Sequence, residues 1–168
     1  MKIFEQAFNN NSRKSLNLAV ELFPGEVWTE IAPSIHLAGS RSPHSEEQAR
    51  ILEKEIAQAR LLAAQGHAVY LLPENGPRGR KHPDAIVDGL VMEFKTITGS
   101  PRKVRENYKD ARKKADNVFL KIDPDYSPEQ VLRLLVGTVK RGAYSGGLII
   151  AYFTTLKKIY YWQTDSLI

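Results

Sequence analysis

The chain has no cysteine. Disulfides and thiolate-held zinc are therefore excluded, and any metal must use carboxylate, imidazole or water. Long apolar runs are missing too: the longest, Leu148–Phe153, is strand-sized and far short of a membrane span. The N-terminal MKIFEQAFNN lacks a signal peptide's apolar segment, so export of this polypeptide by itself is not expected. A length of 168 residues suits one domain that buries a core without staples. We expect that domain over residues 45–168, preceded by an N-terminal appendage or linker over 1–44.

What is present is unevenly charged. The net charge is +5, yet from Arg78 to Lys114 eleven Lys/Arg stand against five Asp/Glu, an excess of six. This one segment carries all the surplus. Such a stretch suits a polyanionic partner, and a solubilising face is the plainer reading of the same charge.

Within it, His82–Thr98 (HPDAIVDGLVMEFKTIT) reads as a β-hairpin. Two runs rich in β-branched and apolar residues, Asp84–Val87 and Leu90–Ile97, are separated by Asp88-Gly89, a favoured pair for a type I′ turn. Counting outward from the turn sets Asp84 opposite Glu93. Period-two alternation then puts Asp84, Ile86, Val91, Glu93 and Lys95 on one face, with Ala85, Val87, Leu90, Met92, Phe94 and Thr96 facing a core. Opposed like charges destabilise a sheet, so two carboxylates placed there need a cation, a shared proton or open solvent. A divalent ion bridging Asp84 and Glu93 beside Lys95 is one solution. An edge hairpin with a wet charged face is the other.

Pro83-Asp84 followed by Glu93-Phe94-Lys95 resembles the PD-(D/E)XK nuclease signature. The wider run, Gly66–Glu74, then Pro83–Gly89, then Glu93–Thr96, is similar to the C-terminal tRNA-nuclease domains of contact-dependent growth inhibition toxins of the CdiA type. The resemblance spans roughly Ser45 to the C-terminus, with no counterpart for the first forty-odd residues. It implies an α/β fold with a mixed central sheet flanked by helices, built on a restriction-endonuclease-like αβββαβ core with an extra helix and strands at the C-terminus. It also implies a bacterial toxin module, carried by a larger secreted protein, that acts in the cytoplasm of a target cell and is countered by a cognate immunity protein. Mg²⁺ or Mn²⁺ would sit on Asp84 and Glu93. Because the helix before the first core strand often adds a Glu in this superfamily, Glu55 is the third candidate, with Glu53 and Glu47 as competitors. Glu74, in Leu72-Pro73-Glu74, also joins the catalytic set with Lys95.

The remaining elements follow from local signals. Ser12 starts a helix through Phe23, stopped by Pro24-Gly25; Val27–Ile31 is a short strand, and Ala38–Pro43 a loop. Ser45-Glu46-Glu47-Gln48 is a capping box for a helix to Gln65, with a stripe of Ala49, Leu52, Ile56, Ala59, Leu62 and Ala63 and with Glu55 on its flank. His67–Leu72 is the first core strand. Ser100 caps a helix with Pro101 at its first position; Asn117–Ile122 is a strand; Ser127–Gln130 opens another helix; Gly146–Phe153 and Lys157–Gln163 are the last strands. From Ser45 onward the order is αβββαβαββ.

Arg78, Arg80 and Lys81 in the loop before the hairpin, and Arg102, Lys103, Arg105, Lys109, Arg112 and Lys113 in the following helix, are the candidate phosphate contacts. The expected activity is metal-dependent phosphodiester hydrolysis, with tRNA as substrate by resemblance. A DNA endonuclease of the same fold, a metal-free mechanism through His82 or His67, and a non-catalytic RNA-binding or phage-assembly module are the alternatives.

Overall fold

Asp88 and Gly89 both take positive φ, 49° and 83°, as a two-residue type I′ turn requires. The structure is a computed structural model that describes residues 2–74 and 82–168. It is a mixed α/β fold whose chain divides into two units, Met1–Val91 and Met92–Ile168.

The first unit contains α1 (Lys2–Leu22), β1 (Trp28–Ala32), β2 (Ile35–Ala38), α2 (Glu46–Ala64), β3 (Val69–Leu71) and β4 (Ala85–Val87). Strand β2 pairs antiparallel with β1 and parallel with β3, in register Ile35↔Val69. Strand β4 closes antiparallel on β3, Leu71 opposite Ala85. Residues below 45 thus supply two strands of this sheet, and α1 begins at Lys2 rather than Ser12. Strand β2, which ends at Ala38 where the expected loop begins, is not among the elements expected from the sequence, because four residues carry too little periodicity to stand out.

Helix α2 starts as its capping box dictates: the Ser45 hydroxyl accepts from the Gln48 amide at 3.1 Å, with Glu46 and Glu47 in the first turn near the positive end of the dipole. It stops at Gly66, whose φ of 91° admits the left-handed turn. The buried core of this unit includes Ala19, Tyr70, Leu72 and Ile86, with Phe23 and Trp28 packed against it.

Strand β5 (Leu90–Ile97) carries the chain from the turn into the second unit, followed by α3 (Arg102–Arg112), β6 (Asn117–Ile122), α4 (Pro128–Gly142), β7 (Leu148–Phe153), β8 (Lys158–Gln163) and a 3₁₀ turn (Thr164–Leu167). β5, β6 and β7 are parallel and β8 returns antiparallel, so α3 and α4 are the crossovers of two βαβ units. Val104, Tyr108 and Ala111 of α3 and Val131, Leu135 and Val139 of α4 form one core with Ile97, Leu120, Ile149 and Phe153 of the strands. Tyr160 and Trp162 pack on this same core.

Two details depart from expectation. Ser100 does not cap α3 with its side chain; Pro101 occupies the cap position in a helical conformation, and the Lys103 amide donates to the Ser100 carbonyl at 3.0 Å. The hairpin is not a sheet with one core face. Ile86, assigned to the charged face, is fully buried, while Leu90, assigned to the core, is 41% exposed.

The turn is clamped from two sides. The Asp88 carboxylate accepts from the Ala68 amide at 2.9 Å and contacts His67 Nδ1 at 2.5 Å, and the Gly89 amide donates to Ser15 Oγ at 2.9 Å. A Cβ on Gly89 would stand 3.0 Å from Cβ of Lys14 at a backbone angle that L-residues resist. Gly89→Ala is therefore expected to lower stability by about 1–3 kcal/mol, read as a lower urea midpoint at unchanged slope. An unchanged midpoint would contradict the clamp.

Candidate active site

Along β5, residues 93, 95 and 97 project to one side, and Ile97 belongs to the core made with α3 and α4. Glu93 and Lys95 therefore face α3. Glu93 is 2% exposed. Its Oε1 accepts a hydrogen bond from Lys114 Nζ at 2.8 Å, and Lys95 Nζ lies 3.7 Å from the same oxygen. Lys95 also donates to Asp110 Oδ2 at 2.8 Å. Asp110 and Lys114 are four apart at the end of α3, where the Lys114 amide still bonds the Ala111 carbonyl at 3.0 Å, so both reach the same side. Hydrogen bonding from Lys95, then its charge, holds the Asp110 carboxyl below the ordinary aspartate value.

A carboxylate out of water carries an effective penalty of several kcal/mol unless paired and hydrogen-bonded. Here the chain itself supplies two ammonium groups. The wet-edge reading of the hairpin therefore does not describe Glu93. The sequence singles out Lys95, but Lys114 enters there only as the last of the eleven basic residues of Arg78–Lys114. No local pattern marks it, because its partner lies 21 residues away and across a crossover.

In the first unit, Asp84 stands immediately before β4, and its carbonyl accepts from the Leu72 amide at 2.9 Å. The Leu72 carbonyl accepts from Arg41 Nη1 at 3.0 Å, and Arg41 Nη2 donates to Glu55 Oε2. The Arg41 and Glu55 side chains are 6% and 11% exposed. Glu55 faces inward on α2, whereas its competitors Glu47 and Glu53 are exposed. A carboxylate on the flank of the apolar stripe would ordinarily reach solvent; Arg41 is what holds it in. Arg41 sits in a stretch read as a plain loop and was not singled out. It also lines a cleft of about 250 Å³ with Ser40, His44, Gln48 and Glu74. Asp84, Glu55 and Glu74 thus belong to the first unit, and Glu93 and Lys95 to the second.

The two histidines of the metal-free alternative have structural contacts: His67 with Asp88, and His82 edge-on to Phe23 at 4.9 Å between ring centres. Arg102 and Lys103 pair with Glu106 at 3.3 and 2.9 Å, Lys113 with Asp110 at 3.5 Å, and Lys109 is exposed. Arg105 is half-buried. Arg112 turns inward. Its side chain, 7% exposed, bonds the Tyr108 hydroxyl at 3.2 Å and the Ser145 carbonyl at 2.8 Å and lies over the Tyr144 ring. Its guanidinium braces the end of α3. Arg78, Arg80 and Lys81 lie outside the described residues.

Residues 81–141 match the family model of the contact-dependent growth inhibition CdiA C-terminal domain. No curated protein matches the chain. Among solved structures it resembles a chain of a CdiA-CT/CdiI toxin and immunity complex from Burkholderia pseudomallei, at 23% identity and a TM-score of 0.52, over 76% of this chain and 98% of that one. Asp84, Glu93, Lys95, Asp110 and Lys114 all fall inside the segment that carries the CdiA C-terminal pattern.

Proposed function

We propose that this chain is the nuclease module of a contact-dependent growth inhibition toxin, of the PD-(D/E)XK type, and that it cleaves tRNA in the cytoplasm of a target cell. The observation that carries the reading is the buried Glu93 with Lys95 and Lys114 on one of its oxygens, inside the segment that matches the CdiA C-terminal family. The excess positive charge of Arg78–Lys114 supports a polyanionic substrate.

Mg²⁺ or Mn²⁺ is the ion that the PD-(D/E)XK reading implies. Glu93 offers a hard oxygen, on which Lys114 and Lys95 converge in the absence of an ion. Among the described residues no three His, Asp or Glu side chains converge, and a sparse site that leaves waters on the ion is what Mg²⁺ tolerates. Glu93, in the second unit, is one carboxylate the resemblance implies for it; Asp84 and Glu55, in the first, are the others. When bound, the ion supplies an acidified water and neutralises phosphate charge. The chain's own part is to keep Lys95 facing the point where charge develops on the phosphate and to lay the backbone along the exposed cations of α3, such as Lys109. An immunity protein that covers this basic face would block both. A toxin and immunity complex among the similar folds supports that partner.

Incubated with purified tRNA and Mg²⁺, the chain is expected to cut tRNA and leave plasmid intact, with activity lost in EDTA. Asp84→Asn and Lys95→Met are each expected to slow cleavage by about a hundredfold or more at unchanged circular dichroism. Cleavage by both variants at the wild-type rate would contradict the assignment; plasmid nicking without tRNA cleavage would move the substrate to DNA.

The Lys95–Asp110 pair predicts a pH response. The folded value of Asp110 lies below its ordinary 3.8. The pair's contribution is therefore complete above that value and fades as pH falls through the lowered one. A carboxyl NMR titration of Asp110 is expected to show a midpoint under 3.8 that Lys95→Met raises. A midpoint unaffected by Lys95→Met would mean that the bond is not formed in solution.

A further inference from the structure

Strands β2 and β3 are parallel, and α2 is the crossover between them. The segments leaving their carboxyl ends meet the first turns of α2 in the 250 Å³ cleft that Arg41 lines. The space outside the carboxyl ends of parallel strands is where open α/β sheets take their ligands. This cleft is smaller than the roughly 300–1,000 Å³ of a site for a drug-sized molecule, so it suits a single base and not a whole nucleotide.

Charge narrows the occupant further. The Arg41 guanidinium is taken up by Glu55 and the Leu72 carbonyl, and Glu46 and Glu47 already answer the dipole of α2. Glu74 adds an exposed carboxylate to the lining. A phosphate there would be repelled, whereas an uncharged ring with N–H groups would be held. Leu52 and Pro73, both buried, give such a ring an apolar wall. The Gln48 Oε1 accepts from the His44 amide at 2.7 Å, so Gln48 meets a ligand with its NH₂ end. The lining therefore combines an amide donor with a carboxylate that accepts two N–H bonds side by side. The Watson–Crick edge of guanine is the complement: an O6 acceptor beside the N1–H and N2–H donors. Adenine and cytosine set an acceptor nitrogen next to their amino group, and uracil has a single N–H on that edge.

We propose that this cleft binds an unstacked guanine of the RNA substrate, with Glu74 accepting from N1–H and N2–H and Gln48 donating to O6. Recognition of splayed-out bases on this edge is the usual route to sequence preference in RNA. Glu74 then serves recognition of the substrate and not the chemistry of cleavage. The inference rests on the nuclease reading given above and deepens it by naming a base that the substrate presents.

The test is NMR titration of the full chain with guanosine 5′-monophosphate in EDTA, so that no divalent ion takes part. Saturable shifts are expected at Gln48, Leu52 and Glu74. The guanine nucleotide is expected to bind about tenfold tighter or better than the adenine or cytosine nucleotide, the discrimination of a good two-bond pairing. Glu74→Gln, and separately Gln48→Ala, are each expected to remove most of that preference at unchanged circular dichroism. Equal shifts by all three nucleotides, or by ribose 5-phosphate alone, would overturn the guanine assignment. So would the absence of shifts at these residues in a protein that cuts tRNA, and the nuclease reading would then stand without this site. Guanine-selective shifts in a protein that cuts no nucleic acid would instead keep the site and overturn the nuclease reading.

Discussion

A carboxylate buried at the centre of a strand sets the terms for the second unit. Glu93 is 2% exposed, and the desolvation of its charge has to be offset by cations brought to it through the fold. Lys95 comes from the same strand, two residues on, where the pleat returns a side chain to the same face. Lys114 comes from the far end of the crossover helix. Its contact at 2.8 Å exists only while α3 is docked with its last turn beside β5. The electrostatic arrangement and the packing of the βαβ unit are thus one requirement.

That docking is secured by apolar surface rather than by charge. Val104, Tyr108 and Ala111 are fully buried against Ile97 and the β6 and β7 side chains, and removal of such surface from water is the large favourable contribution. Arg112 braces the end of the helix from inside, between Tyr108, Tyr144 and the Ser145 carbonyl. Gly147 permits the close passage beneath: a Cβ there would fall 2.0 Å from the Asp116 carbonyl oxygen. In the first unit Arg41 has a comparable part, since its guanidinium joins Glu55 on α2 to the Leu72 carbonyl, next to the backbone bond that holds Asp84.

The order of elements from Ser45 onward could be read from the chain because each carries a local signal. Ser45 and Ser127 cap their helices as the capping-box pattern requires, Asp88-Gly89 takes both positive φ values, and Asn117–Ile122 is a strand over its full expected span. What could not be read is non-local. Arg41 reaches Glu55 fourteen residues on, and Lys114 reaches back twenty-one to Glu93; no period of two or 3.6 marks either pair. Arg112 looked like its basic neighbours because charge pattern does not say which side of an amphipathic helix a long side chain will cross. Ile86 and Leu90 exchanged their expected burial because alternation assigns two faces but not what covers each of them.

The ion pair between Glu93 and Lys114 is the claim on which the rest depends, and a double-mutant cycle measures it directly. Glu93→Gln, Lys114→Met and the double variant would be unfolded in urea beside the wild type, in metal-free buffer. A paired buried carboxylate predicts that each single change is strongly destabilising and that the double variant recovers part of the loss, a coupling of about 1–3 kcal/mol. Additive losses, with a coupling inside about 0.5 kcal/mol, would mean that Lys114 does not hold the Glu93 charge.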